Sequence, residues 1–168
     1  MSLHTHSENH GGISPAELHR LGIDPHALVD FSVNSNPFGP APAVLEALQK
    51  VDVSLYPDRD CDEIRQVLGQ ACRAAPDQVC MGNGTAELIW LIAQAFLHPG
   101  DRVLILGPTF GEYARAAAAL WAEVQEIRAC APLFTPPVEA LLAAIRQQQP
   151  RLVFLCNPHN PTGKFIPL

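Results

Sequence analysis

Basic residues are scarce: 11 lysines and arginines stand against 17 acidic residues, for a formal charge of -6. A domain that grips nucleic acid carries the opposite balance, so that class is excluded. Long apolar runs are missing too, and no stretch approaches the roughly 20 residues that a membrane-spanning helix needs. The opening MSLHTHSENHGG lacks the charged-then-apolar order of a secretory signal. A soluble, cytoplasmic protein with no membrane partner is expected. Cys61, Cys72, Cys80, Cys130 and Cys156 occur singly, without the CxxC pair of a zinc or redox site. Most of them are expected to fill small core positions. Internal repeats and low-complexity tracts are also lacking.

What is present is the composition of a globular domain, with 48% apolar and 17% charged residues over 168 positions. His4, His6 and His10 lie close together in the leader, but a solvated terminus explains them more simply than a metal site does. Ser14-Pro15-Ala16-Glu17 combines a capping residue, a first-turn proline and an acid three residues after the cap, predicting a short helix to Leu21 that Gly22 stops. Asp30 to Pro42, DFSVNSNPFGPAP, is too rich in Asn, Pro and Gly for regular structure. Helical periodicity resumes at Val44, Leu45 and Leu48, and again at Ile64, Val67, Leu68 and Ala71.

From Gln78 the pattern alternates between strand and helix. Val79 to Met81 reads as a strand, Gly82-Asn83-Gly84 as a loop, and Leu88 to Phe96 as an apolar helix closed by Pro99-Gly100. Arg102 to Leu106 suits a buried strand, Pro108 to Leu120 a helix, and Ala122 to Ile127 a further strand. Thr135 is placed to cap a helix with Pro136 as its first residue, before a last strand at Arg151 to Cys156. Such alternation predicts a three-layer α/β/α sandwich around a mostly parallel sheet. In such folds ligand sites form on the loops that leave the carboxyl ends of strands.

Four segments fall where those loops belong. In Gly82-Asn83-Gly84-Thr85-Ala86-Glu87, free amides of a first helical turn and the Thr85 hydroxyl form a possible phosphate cradle; a plain turn capped by Thr85 is the alternative. The motif is neither GxxxxGK[ST] nor GxGxxG, so neither a nucleoside triphosphate nor a dinucleotide is implied. Asn157-Pro158-His159-Asn160-Pro161-Thr162-Gly163 holds the Asn160 amide in a stiff loop, ready to donate to a ligand oxygen or to satisfy nearby backbone. Pro108-Thr109-Phe110-Gly111-Glu112-Tyr113 presents an aromatic ring for stacking on a flat ligand, although Phe110 also suits the core. Tyr56-Pro57-Asp58 precedes a helix, with Asp58 near its start.

In order and rough spacing, these motifs resemble the branch of fold-type I pyridoxal-phosphate enzymes that contains histidinol-phosphate aminotransferase and threonine-phosphate decarboxylase. The resemblance runs from about His10 to Gly163. It implies that residues 1–50 form an N-terminal arm and small-domain segment, and 51–168 the first part of the large, cofactor-binding domain. It also implies that Gly84, Thr85 and Ala86 hold the phosphate of pyridoxal 5'-phosphate, that Tyr113 stacks on its ring and that Asn160 meets the ring hydroxyl. Tyr56 resembles the tyrosine that reaches the phosphate in a neighbouring subunit, implying a homodimer.

The opening His10-Gly11-Gly12 and Asp30 to Pro37, with Phe110, Glu112 and Tyr113, look like the decarboxylase. In that resemblance His10 and Asn34 contact a small phosphorylated amino-acid substrate, and the product is the aminopropanol phosphate of the cobalamin side arm. An aminotransferase acting on histidinol phosphate or a related amino acid is the alternative, and a non-catalytic remnant a third reading. The Ser-x-x-Lys of the family's Schiff-base lysine, its pyridine-pairing aspartate and its substrate-binding arginines have no counterpart here. Lys50 and Lys164, the only lysines, do not match the catalytic position, so the chain by itself is expected to be inactive. The same comparison leads to the expectation that only the Arg102 and Ala122 strands are direct neighbours.

Overall fold

A computed structural model describes Gly12 and residues 14–167, so His4, His6 and His10 lie outside the described residues. The chain divides into two compact units, Met1–Arg59 and Asp60–Leu168.

In the first unit, α1 spans Pro15–Leu21 as the capping pattern requires. The Ser14 hydroxyl accepts the Glu17 amide at 3.3 Å, and Gly22 ends the helix in the left-handed region at φ 67°. Residues 28 to 41 are irregular, and Asp30 organises them by accepting both the amide (2.7 Å) and the hydroxyl (2.6 Å) of Ser32. These bonds hold the Asp30 carboxyl below the usual range. The Ser32 hydroxyl in turn accepts the Gly12 amide at 2.7 Å, tying the start of the described chain to this loop. Helix α2, Pro42–Gln49, opens on the proline that ends the irregular stretch. Asp52 repeats the Asp30 arrangement with Ser54.

The second unit contains α3 (Asp62–Cys72), α4 (Gly84–Phe96), β1 (Arg102–Gly107), α5 (Glu112–Ala119), β2 (Glu123–Arg128), α6 (Val138–Gln148) and β3 (Leu152–Phe154). The sheet order is β2-β1-β3 and both pairings are parallel. Strand β1 is central and buried on both faces. Val103 and Ile105 pack with Ile89, Ala93, Ala116 and Ala117 of α4 and α5, whereas Leu104 and Leu106 meet Leu141 and Ala144 of α6. Each such side chain contributes about 2 kcal/mol through burial, which explains the unbroken apolar run VLIL.

Two arginines fasten the amino ends of the strands. Arg102 donates to the Gln148 carbonyl at 3.0 Å, and Arg151 to the Phe96 carbonyl at 3.0 Å. Each cation thereby satisfies a carbonyl at the C-terminus of a helix, α6 or α4, where the helix dipole favours positive charge. An open cavity of about 510 Å³ beside them is lined by Asp101, Arg102, Glu123 and Arg151. Among the described residues no helix is long and apolar enough to cross a membrane.

Several expectations are corrected. Val79 to Met81 is not a strand; it follows the 3-10 turn Pro76–Gln78 without pairing to the sheet. The Arg102 strand has two neighbours, because β3 also pairs with it, in the register Val103 to Leu152. Helix α6 starts at Val138 rather than at Pro136, since a residue preceding proline is driven out of the helical region and Pro136 precedes Pro137. Helix α5 starts at Glu112 because residues 108 to 111 are used to turn the chain back over the sheet. None of the five cysteines is buried: Cys72, Cys80 and Cys130 are exposed and Cys61 and Cys156 half-buried.

Candidate functional site

The strand order fixes where a crevice can form. From central β1 the chain passes over one face through α5 to β2, then returns beneath the other face through α6 to β3. The crevice at the carboxyl ends of β1 and β3 lies where the winding changes side, the place at which open α/β sheets bind ligands. The cavity described above lies at the opposite, amino ends of the strands.

Helix α4 points its N-terminus toward this crevice. Its last carbonyl, that of Phe96, is held by Arg151 at the start of β3, and its 13 residues extend about 20 Å. The first turn therefore reaches the carboxyl edge. Gly84 enters the helix at φ 79°, where an L side chain is strained, and the space where a Cβ would stand is open. Thr85 lies within the first turn rather than capping it. The Asn83 amide and side chain both donate to the Glu87 carboxylate, the latter at 3.0 Å. The Thr85 and Ala86 amides belong to the turn that has no intrahelical acceptors, and both residues are exposed.

Tyr113 joins the two strands of the crevice. Its ring lies 4.8 Å from that of Phe154 on β3, at 16° between planes, and Phe110 stands edge-on to it at 6.1 Å. One face of Tyr113 is thus backed by Phe154. Burial, then the charge of the Cys156 thiolate, then a hydrogen bond with Cys156, push the phenol up to about 12.

The loop after β3 is a clasp. The Asn157 side chain donates to the Ile166 carbonyl at 2.8 Å and accepts the Ile166 amide at 3.0 Å. Within it, the His159 amide donates to the Lys164 carbonyl and the Gly163 amide to the His159 carbonyl, both at 2.7 Å. The His159 ring is 4% exposed and meets the Thr162 hydroxyl at 2.7 Å through Nδ1. These bonds leave Asn160 exposed at the tip.

Gly84, Thr85, Ala86, Tyr113 and Asn160 all belong to the second unit, the first three in the opening turn of α4 and the other two on the segments that follow β1 and β3. Asn34 and Tyr56 belong to the first unit; Asn34 is exposed, and Tyr56 is 100% exposed in the segment after α2. His10 lies outside the described residues.

Thr109 was not singled out by sequence reasoning, although it lies inside the PTFGEY segment, and Glu112 was noted there only for its likeness to the decarboxylase, not for any contact it makes. The Thr109 hydroxyl, just beyond β1, and the His159 Nε2, just beyond β3, are buried without a hydrogen-bond partner. Unpaired buried polar atoms are costly, so two of them beside a crevice fit a polar ligand there. Together with open helix-terminal amides and a backed aromatic ring, they suit a flat anionic molecule. Among the described residues no group of three or more His, Cys, Asp or Glu could hold a metal ion.

The fold is that of an α/β domain with a parallel sheet whose carboxyl edge is the candidate place for a ligand. The family description of class I and II aminotransferases matches residues 26–168, and the chain belongs to that family of pyridoxal-phosphate enzymes. Histidinol-phosphate aminotransferase 2 of Pseudomonas aeruginosa is 39% identical over 148 residues, covering 87% of this chain and 39% of that protein. The crystal structure of histidinol-phosphate aminotransferase from Sinorhizobium meliloti, in complex with pyridoxal-5'-phosphate, matches with a TM-score of 0.74 at 24% identity, over 89% of this chain and 40% of that one. L-threonine-O-3-phosphate decarboxylase from Porphyromonas gingivalis matches with a TM-score of 0.58 at 28% identity, over 73% and 36%. The chain spans about two fifths of the length of these relatives.

Proposed function

We propose that this chain forms the part of a pyridoxal-phosphate-dependent aminotransferase that seats the cofactor, and that its amino donor is histidinol phosphate or a related amino compound. The observation that carries this reading is the stacking of Tyr113 on Phe154 of β3, the strand that leads into the Asn160 clasp; the exposed first turn of α4 in the same unit supports it. The P. aeruginosa relative named histidinol-phosphate aminotransferase 2, similar over 87% of the chain, supports transfer over decarboxylation.

When bound, pyridoxal phosphate supplies an electron sink for bonds at the substrate's alpha carbon. In this reading the Thr85 and Ala86 amides and the Thr85 hydroxyl hold the phosphate, and Gly84 lets the backbone approach it. Tyr113, backed by Phe154, would stack on the ring. The Asn160 amide would donate to the ring hydroxyl oxygen. Tyr56 would reach the phosphate held by a second copy, so the working unit would be a homodimer; in the decarboxylase reading His10 and Asn34 would contact the phosphate or carboxylate end of threonine phosphate.

Decarboxylation of threonine phosphate is the second reading. It is favoured by the bond from Gly12 to Ser32, which ties that glycine to the DFSVN loop, and by the P. gingivalis decarboxylase as a structural neighbour. The test uses the complete gene product with pyridoxal phosphate. Conversion of histidinol phosphate that depends on a keto-acid acceptor is expected. Acceptor-free release of carbon dioxide from threonine phosphate moves the assignment to the second reading, and failure to bind the cofactor overturns both.

A further inference from the structure

We infer that Glu112 is a positioning residue that holds the phosphate-facing helix and the ring-facing tyrosine in one fixed register. The inference rests on the cofactor reading above. It concerns how two separate elements are made to grip a single small molecule.

Glu112 is the first residue of α5, immediately before Tyr113, and is 4% exposed. Its carboxylate accepts the indole N–H of Trp90 across the helix interface at 2.6 Å and also pairs with Arg115 one turn on. Trp90 lies on α4, in the second turn beyond Gly84. The bond therefore connects the element whose first amides face the crevice with the residue next to the stacking ring. A buried carboxylate costs more than an apolar side chain of the same size, and well-packed hydrophobic residues join two helices as firmly. What the charged hydrogen bond adds is direction: an indole N–H and a carboxylate oxygen meet in one geometry, whereas two apolar surfaces can slide. Sliding of α4 along α5 would change the spacing between the Thr85 and Ala86 amides and Tyr113, which a rigid ligand cannot follow.

The experiment compares Glu112→Gln, Glu112→Leu and Trp90→Phe in the complete gene product. Cofactor affinity, the circular dichroism of the bound cofactor's visible band and apo-protein melting are measured together. Glu112→Leu is expected to weaken cofactor binding by at least about tenfold, the scale of a lost charge-assisted hydrogen bond, and to diminish the dichroic band. Glu112→Gln keeps an oxygen for the indole and is expected to restore most of both. Trp90→Phe removes the donor while keeping a ring, and reproduces the Leu effect if that variant does not fold. Variants that lower the melting temperature but leave affinity and the dichroic band at the parental values overturn the inference. A parental protein that binds no cofactor overturns instead the reading on which it rests.

Discussion

Tyr113 couples the crevice to pH. Its phenol is displaced upward from the ordinary 10.0 to about 12, first by burial and then by Cys156. A raised pKa on an acid means that the folded state favours the protonated form. That stabilisation is complete below pH 10 and is lost as pH rises through 12. Stability followed by denaturant titration is expected to fall across that window, and Tyr113→Phe is expected to flatten the fall; an unchanged slope in the variant would place its cause elsewhere. Gly84 carries a second expectation. At φ 79° a methyl group has space but the backbone is strained, so Gly84→Ala costs about 1–2 kcal/mol or forces the turn to relax. Cofactor affinity falls by about tenfold if the turn relaxes by that amount, as equilibrium titration would read. These residues differed in legibility. Gly84, Thr85, Tyr113 and Asn160 stood in short segments between periodic ones and drew notice there, though only the family resemblance gave them roles. The burial and partners of Glu112, Thr109 and His159 were not legible, because they come from packing: nothing in the letters says that Trp90, 22 positions earlier, meets Glu112.

Among the elements, α1 and β1 followed their sequence signals closely, one from caps and a glycine stop, the other from a doubly buried apolar run. The misread ones depend on neighbours. Val79 to Met81 has strand-forming composition but pairs with nothing in this sheet, and a strand without a partner leaves its backbone groups to water. The pairing of β3 with β1 is likewise a matter of topology that an apolar run cannot encode. The clasp after β3 gives a test at this scale. Asn157→Ala removes both bonds to Ile166, at about 1–2 kcal/mol in a partly buried place. Hydrogen exchange of the His159 and Gly163 amides is expected to speed up, while amides of β1 stay protected. Equal acceleration throughout would mean that the clasp is part of the core instead.

For the whole molecule, much apolar surface remains outside any core. Phe31, Phe38, Val53 and Tyr56 in the first unit, and Ile64, Val67, Phe96 and Trp121 in the second, are all exposed. Patches of this kind mark association surfaces. The 168-residue polypeptide alone is therefore expected to bind a hydrophobic dye and to associate with rising concentration; a cooperatively melting monomer on a sizing column would contradict this. The arginine fastenings carry a different consequence. Arg102 and Arg151 secure helix ends at the rear of strands whose front edge holds the crevice, and the six residues of β1 separate the two by about 20 Å. Changes that far apart act independently, so Arg102→Ala, which frees only the end of α6, should lower thermal resistance without altering ligand grip, and its effect should simply add to that of Gly84→Ala. Robustness and recognition in this domain are then adjustable one at a time.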